Sequence, residues 1–302
     1  MTTNAPERPI EDASEPLSTT RYDAMADGYA RFWAPVLRES AERVLEHLAP
    51  AIEAALARAG RGGGTEGSAT ARLLDVGSGT GTLAVAALGR WSGLHVTAID
   101  PSSGMLEVAR RTAAANLAPE AAARFETVVA YADELPDNLG PFDAAMSSFV
   151  LQLVPSRAAA LREVRRVLVP DGTFAWVTWQ MSDRAFEPDR VVNAVLDDFG
   201  FDPPGADERP GDVASPAAAA LAMRRAGFRG VKAWERELTY AWDARGYLEF
   251  LTDFDEASLF DDLDRKERRA IEARILEDLE KLTSEQLTLR LPIVYAMGTN
   301  PD

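Results

Sequence analysis

The chain contains no cysteine and only two histidines among its 302 residues. Without cysteine there is no disulfide, no thiolate nucleophile and no thiolate metal ligand. Positive charge is also scarce, because 32 basic residues face 48 acidic ones and the formal net charge is −16 at pH 7. A chain of this charge repels nucleic-acid phosphates and anionic membrane surfaces, so a nucleic-acid substrate is not expected.

Long apolar runs are absent as well. No run approaches the roughly 18 residues that span a bilayer, and the first 20 residues contain no basic segment followed by an apolar one. The content of 46% hydrophobic and 26% charged residues is typical of a globular chain. We therefore expect a soluble, cytoplasmic protein without membrane insertion, and its oligomeric state does not follow from the sequence.

The chain begins with two segments of different composition. Residues 1–20 are polar and rich in Pro, Glu, Ser and Thr, which predicts a disordered N-terminus. In residues 21–60 apolar side chains recur every three to four positions, which predicts a helical cover. The stretch GRGGGTEGSAT predicts a glycine-rich linker over residues 61–71, followed by the main domain, residues 72–302.

In the main domain, short apolar runs alternate with helical patterns. Alternation of this kind predicts a doubly wound α/β fold around a mostly parallel seven-stranded sheet, and the last two strands, with no crossover helix evident between them, form a hairpin-like pair. The predicted strands cover residues 72–76, 95–100, 124–130, 142–148, 173–179, 229–242 and 288–298.

Two segments interrupt this pattern, residues 181–216 and residues 243–286, and we interpret them as an inserted helical cap. The first ends in the Pro/Gly-rich loop FDPPGADERPGDVASP. In the second, an amphipathic helix is predicted whose apolar side carries Leu263, Ile271, Ile275, Leu279 and Leu282.

The motif LLDVGSGTGTLAVAA, residues 73–87, combines an apolar strand, one aspartate and three glycines at alternate positions. Glycines between a strand and a helix let the main chain approach a ligand. A GxxxxGK[ST] phosphate loop is missing, and a dinucleotide fingerprint requires glycine where Thr82 stands. Asp100 follows Gly81 by 19 residues, about the distance at which an acidic side chain contacts the ribose of a nucleoside.

These features resemble the class I S-adenosylmethionine-dependent methyltransferases, the group that includes ubiquinone and menaquinone biosynthesis methyltransferases. VTAIDPSSGMLEVAR (96–110) is similar to the family's second-strand motif. FDAAMSSFVLQLV (142–154) and VRRVLVPDGTF (164–174) are similar to the fourth-strand and fifth-strand motifs. The resemblance implies a Rossmann-like fold and methyl transfer to a small-molecule acceptor, with S-adenosyl-L-methionine as the cofactor.

The resemblance also implies which residues hold the methyl donor. Asp75 matches a position near the donor's amino group, Asp100 the ribose position and Met105 the position that packs on adenine. The family usually has an aspartate where Tyr131 stands, so Ala132 offers its N–H to the ring and Asp133 takes the amino contact. The cofactor-binding set is Asp75, Gly77, Ser78, Gly79, Gly81, Asp100, Pro101, Met105, Ala132, Asp133, Ser148 and Phe149.

On the acceptor side, Tyr22 and Tyr29 belong to a segment that resembles the family's N-terminal cover, although both residue types equally fit plain packing. Gln152 stands where the family often has a histidine, and a glutamine orients a substrate without accepting a proton. These three residues are the predicted catalytic set, acting by orientation. Phe149 and Trp179 either line the acceptor pocket or belong to the core.

Neither histidine is predicted to be catalytic. His95 begins the second strand, far from its carboxyl end, and His47 lies on the predicted cover helix. The acidic residues of the cap either attract a cationic acceptor or form a solvated face: Asp253, Asp255, Glu256, Asp261 and Asp262. No cluster with metal-ligand spacing stands out, so no metal is expected.

Two alternatives remain open at this point. A protein on the same scaffold can bind S-adenosylmethionine without transferring the methyl group. An NAD(P)-dependent oxidoreductase shares the sheet and the ribose carboxylate, although a Tyr-x-x-x-Lys pair is missing from this chain. Methyl transfer itself needs mainly alignment and exclusion of water, which agrees with a chain poor in reactive side chains.

Overall fold

The computed structural model describes residues 19–61, 70–201 and 211–301. Its seven strands are Ala71–Val76 (β1), Leu94–Asp100 (β2), Phe125–Val129 (β3), Phe142–Ser148 (β4), Leu168–Trp179 (β5), Arg229–Ala241 (β6) and Thr288–Thr299 (β7). They form one sheet in the order β3-β2-β1-β4-β5-β7-β6, in which β7 is antiparallel to both of its neighbours and the other pairs are parallel. The predicted seven-stranded, mostly parallel sheet is confirmed.

One strand differs clearly from its prediction. β5 begins at Leu168 rather than at Thr173, because Leu168 already pairs with Phe142 before the register shifts. The residues between them, including Asp171 with a φ of 62°, form an irregular bend. A Pro-Asp-Gly sequence predicts a turn, and here the same residues are accommodated as an irregularity within the strand.

The helices pack around this sheet and above it. They are Thr19–Gly28 (α1), Ala34–Arg61 (α2), Thr82–Arg90 (α3), Ser103–Asn116 (α4), Pro119–Ala122 (α5), Arg157–Arg166 (α6), Glu187–Asp198 (α7), Pro216–Arg225 (α8), Ala244–Phe250 (α9), Ala257–Asp261 (α10) and Arg265–Leu279 (α11). Short π-helical segments, Tyr29–Trp33 and Leu251–Asp255, follow α1 and α9. Among the described residues no helix is long and apolar enough to cross a membrane.

Parts of the predicted flexible segments lie outside the described residues, namely residues 1–18, 62–69 and most of the Pro/Gly-rich loop, 202–210. The prediction that disorder extends to residue 20 is wrong for its last two positions, because α1 begins at Thr19. The rest of α1 falls within the predicted helical cover, and its packing against α4 stabilises this short helix.

The period-two alternation of the strands divides the core between the two faces of the sheet. Leu73, Ala144 and Val177 belong to a cluster formed with α2 and α3. Leu74 and Trp176 belong to a second cluster, formed with α6 and α8. They are the sequence neighbours of Leu73 and Val177, so they point to the opposite face of the sheet. Both faces are therefore covered by helices, as a doubly wound fold requires.

The cap has a core of its own, built from α7, α9, α10 and α11. Ile271, Ile275 and Leu279 lie on the buried side of α11, as predicted. Leu263 and Leu282 pack against the same cluster but lie outside the helix, which begins after the N-cap Asp264 and its capping box. The prediction that all five residues belong to one helix is thus wrong for the two outermost ones.

Candidate functional site

The predicted donor residues lie at the carboxyl edge of the sheet, where β1, β2 and β4 end side by side. Val76 pairs with Ile99 and with Ser147, so the three strands end at the same level and the loops that follow them begin side by side. The glycine loop leads from β1 into α3, and Asp100 ends β2. Parallel sheets of this kind bind ligands at this edge.

The three glycines have positive φ angles, 66° at Gly77, 51° at Gly79 and 80° at Gly81. A Cβ on Gly77 would lie 2.4 Å from two carbons of Val150, and one on Gly81 would lie 2.8 Å from Cβ of Ala109. At Gly79, by contrast, nothing lies within 4 Å of the Cβ position. Two glycines are therefore needed for packing, whereas Gly79 faces open space above the loop.

Asp100 is held by the main chain on both sides. Its Oδ2 accepts the N–H of Gly79 and its Oδ1 accepts the N–H of Ser102, both at 2.9 Å. Burial raises the pKa of Asp100 against the lowering effect of these two hydrogen bonds. A carboxylate has about four acceptor positions, so each oxygen keeps capacity for a ligand hydroxyl.

Asp75 lies deeper, with 2% of its surface exposed. It accepts a hydrogen bond from the N–H of Ala84, yet its Oδ2 is buried and has no partner among the described residues. Burial, and then the nearby charge of Asp100, raise the pKa of Asp75 to about 8. The Oγ of Ser78 is also buried without a partner, so two neighbouring polar atoms, one on β1 and one in the glycine loop, lack a hydrogen-bond partner.

Pro101, Ser102 and Met105 lead from β2 into α4. Ser102 is the N-cap of α4, and its Oγ accepts the N–H of Met105 at 3.0 Å. The Met105 side chain is 2% exposed, and it packs in a small cluster with Ala26 and Val108. Tyr22 and Tyr29 pack on the same cluster, so α1 and the π-helical segment lie over the predicted donor side chains.

The segment after β3 forms a tight turn. Tyr131 and Glu134 form an isolated antiparallel bridge, with Ala132 and Asp133 at its tip. Ala132 is buried, whereas Tyr131 is 51% exposed. The residue that departs from the family's usual aspartate therefore lies largely in solvent, at the edge of the sheet.

Ser148 ends β4 and is followed by Phe149, whose φ of 54° is unusual for a residue with a bulky side chain. The amide of Gln152 stabilises this turn, because its Nε2 donates to the carbonyl of Phe149 at 2.7 Å. Its Oε1 accepts the hydroxyl of Thr178 at 2.8 Å. Both ends of the predicted acceptor-facing glutamine are thus engaged within the protein, with one N–H and one lone pair remaining.

Aromatic side chains connect this turn to the cap. The rings of Phe149 and Trp179 lie 4.4 Å apart, and Trp33 lies 6.4 Å from Trp179 and stacks on Phe250 at 5.5 Å. Burial raises the pKa of Tyr29, and the nearby Tyr22 and Asp100 raise it further. The hydroxyl of Tyr29 therefore stays protonated at neutral pH.

The two histidines lie away from this edge. His95 pairs with Arg72 near the start of β2, at the opposite end of the strand from Asp100. His47 lies on α2, where it is partly buried and its ring lies 4.6 Å from that of Trp234. Desolvation lowers the pKa of His47, so it is neutral at pH 7.

The acidic cap is partly ion-paired. Arg268 lies 3.1 Å from Asp261 and 3.7 Å from Asp253, and Arg31 lies 3.9 Å from Asp253. These contacts favour a solvated, salt-bridged face over a site for a cationic acceptor. In the part of the chain that the structure describes, no group of three or more His, Cys, Asp or Glu side chains is arranged to hold a metal ion.

Sequence reasoning missed two polar residues of this region. Asp23 on α1 accepts hydrogen bonds from Ser102 and Gly104 at the start of α4, and Thr178 on β5 binds Gln152. The serine three residues before Met105 is a recognisable N-cap signal. No local signal points to Asp23, whose partners are about 80 residues away in sequence.

Comparison with known proteins concerns the domain that contains this site. Residues 73–172 match a family model described as a methyltransferase domain. The malonyl-[acyl-carrier protein] O-methyltransferase of Geobacter sulfurreducens is 33% identical over 187 residues, 61% of this chain and 65% of that protein. The demethylmenaquinone methyltransferase of Clavibacter sepedonicus is 44% identical over 101 residues, 33% of this chain and 38% of that protein.

This chain therefore spans less than two thirds of either curated relative. Among solved structures, a candidate O-methyltransferase from Nostoc punctiforme superposes with a TM-score of 0.50 at 17% identity, over 74% of this chain and 60% of that one. At this identity the likeness concerns the fold, and it agrees with the doubly wound sheet. The resemblance found in the sequence motifs is thereby confirmed for the domain that carries them.

Proposed function

We propose that the protein is an enzyme that transfers a methyl group from S-adenosylmethionine to a small-molecule acceptor, because residues 73–172 match a family model described as a methyltransferase domain. One observation carries the proposal: two buried carboxyl groups, Asp75 and Asp100, lie together beside a glycine loop that is open at Gly79. A buried carboxyl group without a full set of partners is costly unless a ligand supplies them.

The charge of this site discriminates between nucleoside ligands. S-adenosylmethionine has an ammonium and a sulfonium group, and both are attracted to carboxylates. A nicotinamide dinucleotide has an anionic pyrophosphate, which cannot favour the charged form of two neighbouring carboxyl groups as a cation does. The orphaned Oδ2 of Asp75 in particular matches an ammonium donor, because a cation there satisfies the atom and also favours the charged form of the group.

Different residues at the carboxyl edge of the sheet are assigned to different parts of S-adenosylmethionine. The glycine loop and the free N–H groups at the start of α3 suit the carboxylate of the amino-acid part. Asp75 and Ser78 suit its ammonium group, and Asp100 suits the two ribose hydroxyls. The adenine side is assigned to Pro101, Met105, Ala132 and Asp133.

The acceptor is proposed to lie between this edge, the cover residues 21–60 and the cap segments 181–216 and 243–286. When bound, S-adenosylmethionine supplies a methyl group activated by the sulfonium; an electron pair of the acceptor's oxygen, nitrogen or carbon forms the new bond, and the electron pair of the broken bond stays on sulfur. Ser148 and Phe149 bound the site on the β4 side. Tyr22, Tyr29 and the remaining hydrogen-bonding capacity of Gln152 orient the acceptor, and the surrounding rings exclude water.

The first test is binding, measured by isothermal titration of the full chain with S-adenosylmethionine, S-adenosylhomocysteine and, as a comparator, NAD. We expect the two sulfur nucleosides to bind and NAD not to bind. Asp100→Ala should raise the dissociation constant about a hundredfold, since it removes hydrogen bonds from a charged acceptor to two hydroxyls. Asp100→Asn, which keeps one oxygen acceptor for the main chain, separates loss of the ligand contact from collapse of the loop.

The control is Asp171→Asn, an exposed carboxylate at the opposite edge of the sheet, which should bind like the unmodified protein. Preferential binding of NAD would refute the assignment of the ligand. A second assay, transfer of a labelled methyl group to a panel of small-molecule acceptors, tests the reaction. Binding without transfer to any member of a broad panel would favour a protein that uses the scaffold without methylating.

A further inference from the structure

The N-terminal helix α1 is attached to the start of α4 by one carboxylate. Asp23 Oδ1 accepts a hydrogen bond from Ser102 Oγ at 2.6 Å and another from the N–H of Gly104 at 2.7 Å. These bonds lower the pKa of Asp23, so the group is charged at neutral pH. A carboxylate at a helix N-terminus is also favoured by the helix dipole.

Gly104 is the residue that lets α1 come this close. A Cβ at position 104 would lie 2.9 Å from Cα of Asp23, 3.0 Å from its carbonyl oxygen and 3.1 Å from Oδ1. Two of these atoms are backbone, so the helix as a whole would have to move. The backbone of Gly104 is not in the positive-φ region, so the reason for glycine here is the approach of α1 rather than backbone conformation.

The attachment joins directly to the proposed donor site. Ser102, which donates to Asp23, also binds Asp100 through its N–H, and Asp100 in turn binds the N–H of Gly79. The underside of α1 adds an apolar contact, with Ala26 packed against Met105. One continuous set of contacts therefore connects the cover helix to the glycine loop.

This packing closes the site. Asp100 is 9% exposed and Met105 is 2% exposed, and Tyr29, which follows α1, packs on the cluster that contains Met105. A nucleoside cannot reach a carboxylate and a methionine that are buried to this extent unless the elements above them move. The second polar contact between α1 and α4, Asp27 with Arg111 at 2.5 Å, joins side chains that are 83% and 57% exposed, so it holds the helix weakly.

We propose that Asp23 is a positioning residue that latches α1 over the donor site through Ser102 and Gly104, and that this latch must break whenever the nucleoside enters or leaves. The inference rests on the proposed function, since it takes Asp100 and Met105 as donor contacts. It adds that donor exchange is controlled from a helix that does not itself contribute a donor ligand. Asp23 acts on the reaction through the residues of α4.

The experiment measures the dissociation and association rates of S-adenosylhomocysteine by stopped-flow fluorescence in the full chain. Asp23→Ala and Gly104→Ala should each accelerate dissociation by about tenfold or more, the effect of losing hydrogen bonds to a charged group. Association should accelerate too, because the same barrier lies on the entry path, so the dissociation constant changes less than either rate. Asp23→Asn, which keeps an oxygen acceptor, should give rates between those of the alanine variant and the unmodified protein.

Two controls separate a latch from general destabilisation. Gly89→Ala, on α3, places a Cβ 3.8 Å from its nearest neighbour and should leave the rates unchanged. The double variant Asp23→Ala, Gly104→Ala should be no faster than the faster single variant, because both changes break the same contact. Gly104→Ala should not lower the denaturant midpoint as a core substitution does, since alanine favours a helix more than glycine.

Hydrogen exchange of the α1 amides in the ligand-free protein provides a readout that does not depend on donor binding. Residues Thr19–Gly28 should exchange faster in Asp23→Ala and Gly104→Ala than in the unmodified chain. Rates of dissociation within twofold of the unmodified protein, or full additivity of the two substitutions, would overturn the latch. If the unmodified protein does not bind S-adenosylhomocysteine, the proposed function fails, and unchanged exchange of α1 in both variants would then overturn the latch on its own terms.

Discussion

The buried carboxyl group of Asp75 leads to a prediction about stability. The pKa of Asp75 is raised from its ordinary value of 3.8 to about 8 in the folded protein. At a pH between these two values the folded protein keeps a proton that the unfolded chain has lost. A raised folded-state pKa means that the contribution of this group to stability is fully present below about pH 4. It is lost as the pH rises toward 8, at about 1.4 kcal/mol per pH unit.

At pH 7 the accumulated loss is about 4 kcal/mol, which is a large fraction of the stability of a typical domain. Asp75→Asn removes the titration while keeping an oxygen that can accept the N–H of Ala84. The new amide N–H groups add a cost of about 1–3 kcal/mol if they find no acceptor, but this cost does not depend on pH. The free energy of unfolding of the variant minus that of the unmodified protein should therefore rise between about pH 5 and pH 8 and then level off.

Urea unfolding of the ligand-free protein, followed by tryptophan fluorescence at several pH values, measures this difference. Asp171→Asn provides the baseline for losing one exposed carboxylate. A difference between Asp75→Asn and the unmodified protein that stays constant across this range would refute the reasoning, because it would mean that Asp75 ionises alike in the folded and unfolded chains. The result would also remove the main electrostatic argument for a cationic ligand.

The same group predicts proton release on ligand binding. At pH 7 the carboxyl group is mostly protonated in the free protein, and an ammonium beside it favours the charged form. Titration with S-adenosylmethionine in two buffers of different ionisation enthalpy should therefore show release of close to one proton. In Asp75→Asn the measured binding enthalpy should be the same in both buffers, because no proton is released to the buffer. Proton release by the variant equal to that of the unmodified protein would contradict the assignment.

Three further predictions concern neighbouring positions. Gly77→Ala should destabilise the fold strongly, by several kcal/mol in urea unfolding, because its Cβ would lie 2.4 Å from Val150 at a φ of 66°. Gly79→Ala should lower the free energy of unfolding by only about 1–2 kcal/mol, since no atom lies within 4 Å of the added Cβ. It should nevertheless weaken the binding of S-adenosylmethionine if the loop contacts the ligand. Equal losses of stability at the two glycines would contradict the structure. Gln152→Ala should lower the free energy of unfolding by about 1–3 kcal/mol, because the buried hydroxyl of Thr178 loses its acceptor, and an unchanged midpoint would show that water replaces it.

Much of the architecture follows from local patterns. The strands follow from short apolar runs, and the alternation of these runs with helical segments predicts parallel pairing because a parallel connection needs a crossover. The glycines at positions 77, 79 and 81 predict a turn between a strand and a helix, and their positive φ angles are a backbone conformation that glycine adopts readily. The position of Asp100 at the end of β2 follows from the length of an apolar strand.

Other features of the candidate site depend on residues that are distant in sequence. The sequence position of Gln152 predicts that it faces a substrate. In the structure its amide donates to the carbonyl of Phe149 and accepts the hydroxyl of Thr178, which belongs to the next strand of the sheet. The raised pKa of Asp75 depends on the burial of β1 between β2 and β4 and on the nearness of Asp100. Neither effect has a local signal, because burial is a property of the assembled sheet.

The sequence by itself determined the kind of sheet, the place of the glycine loop along the chain and the absence of thiol chemistry, since each depends on residue types within about one element of structure. Only the tertiary structure decided which groups meet at the carboxyl edge. The contact of Asp23 with Gly104, 81 residues away, shows the reason: hydrogen bonds act over about 3 Å in space, and distance along the chain does not indicate which side chains folding brings that close.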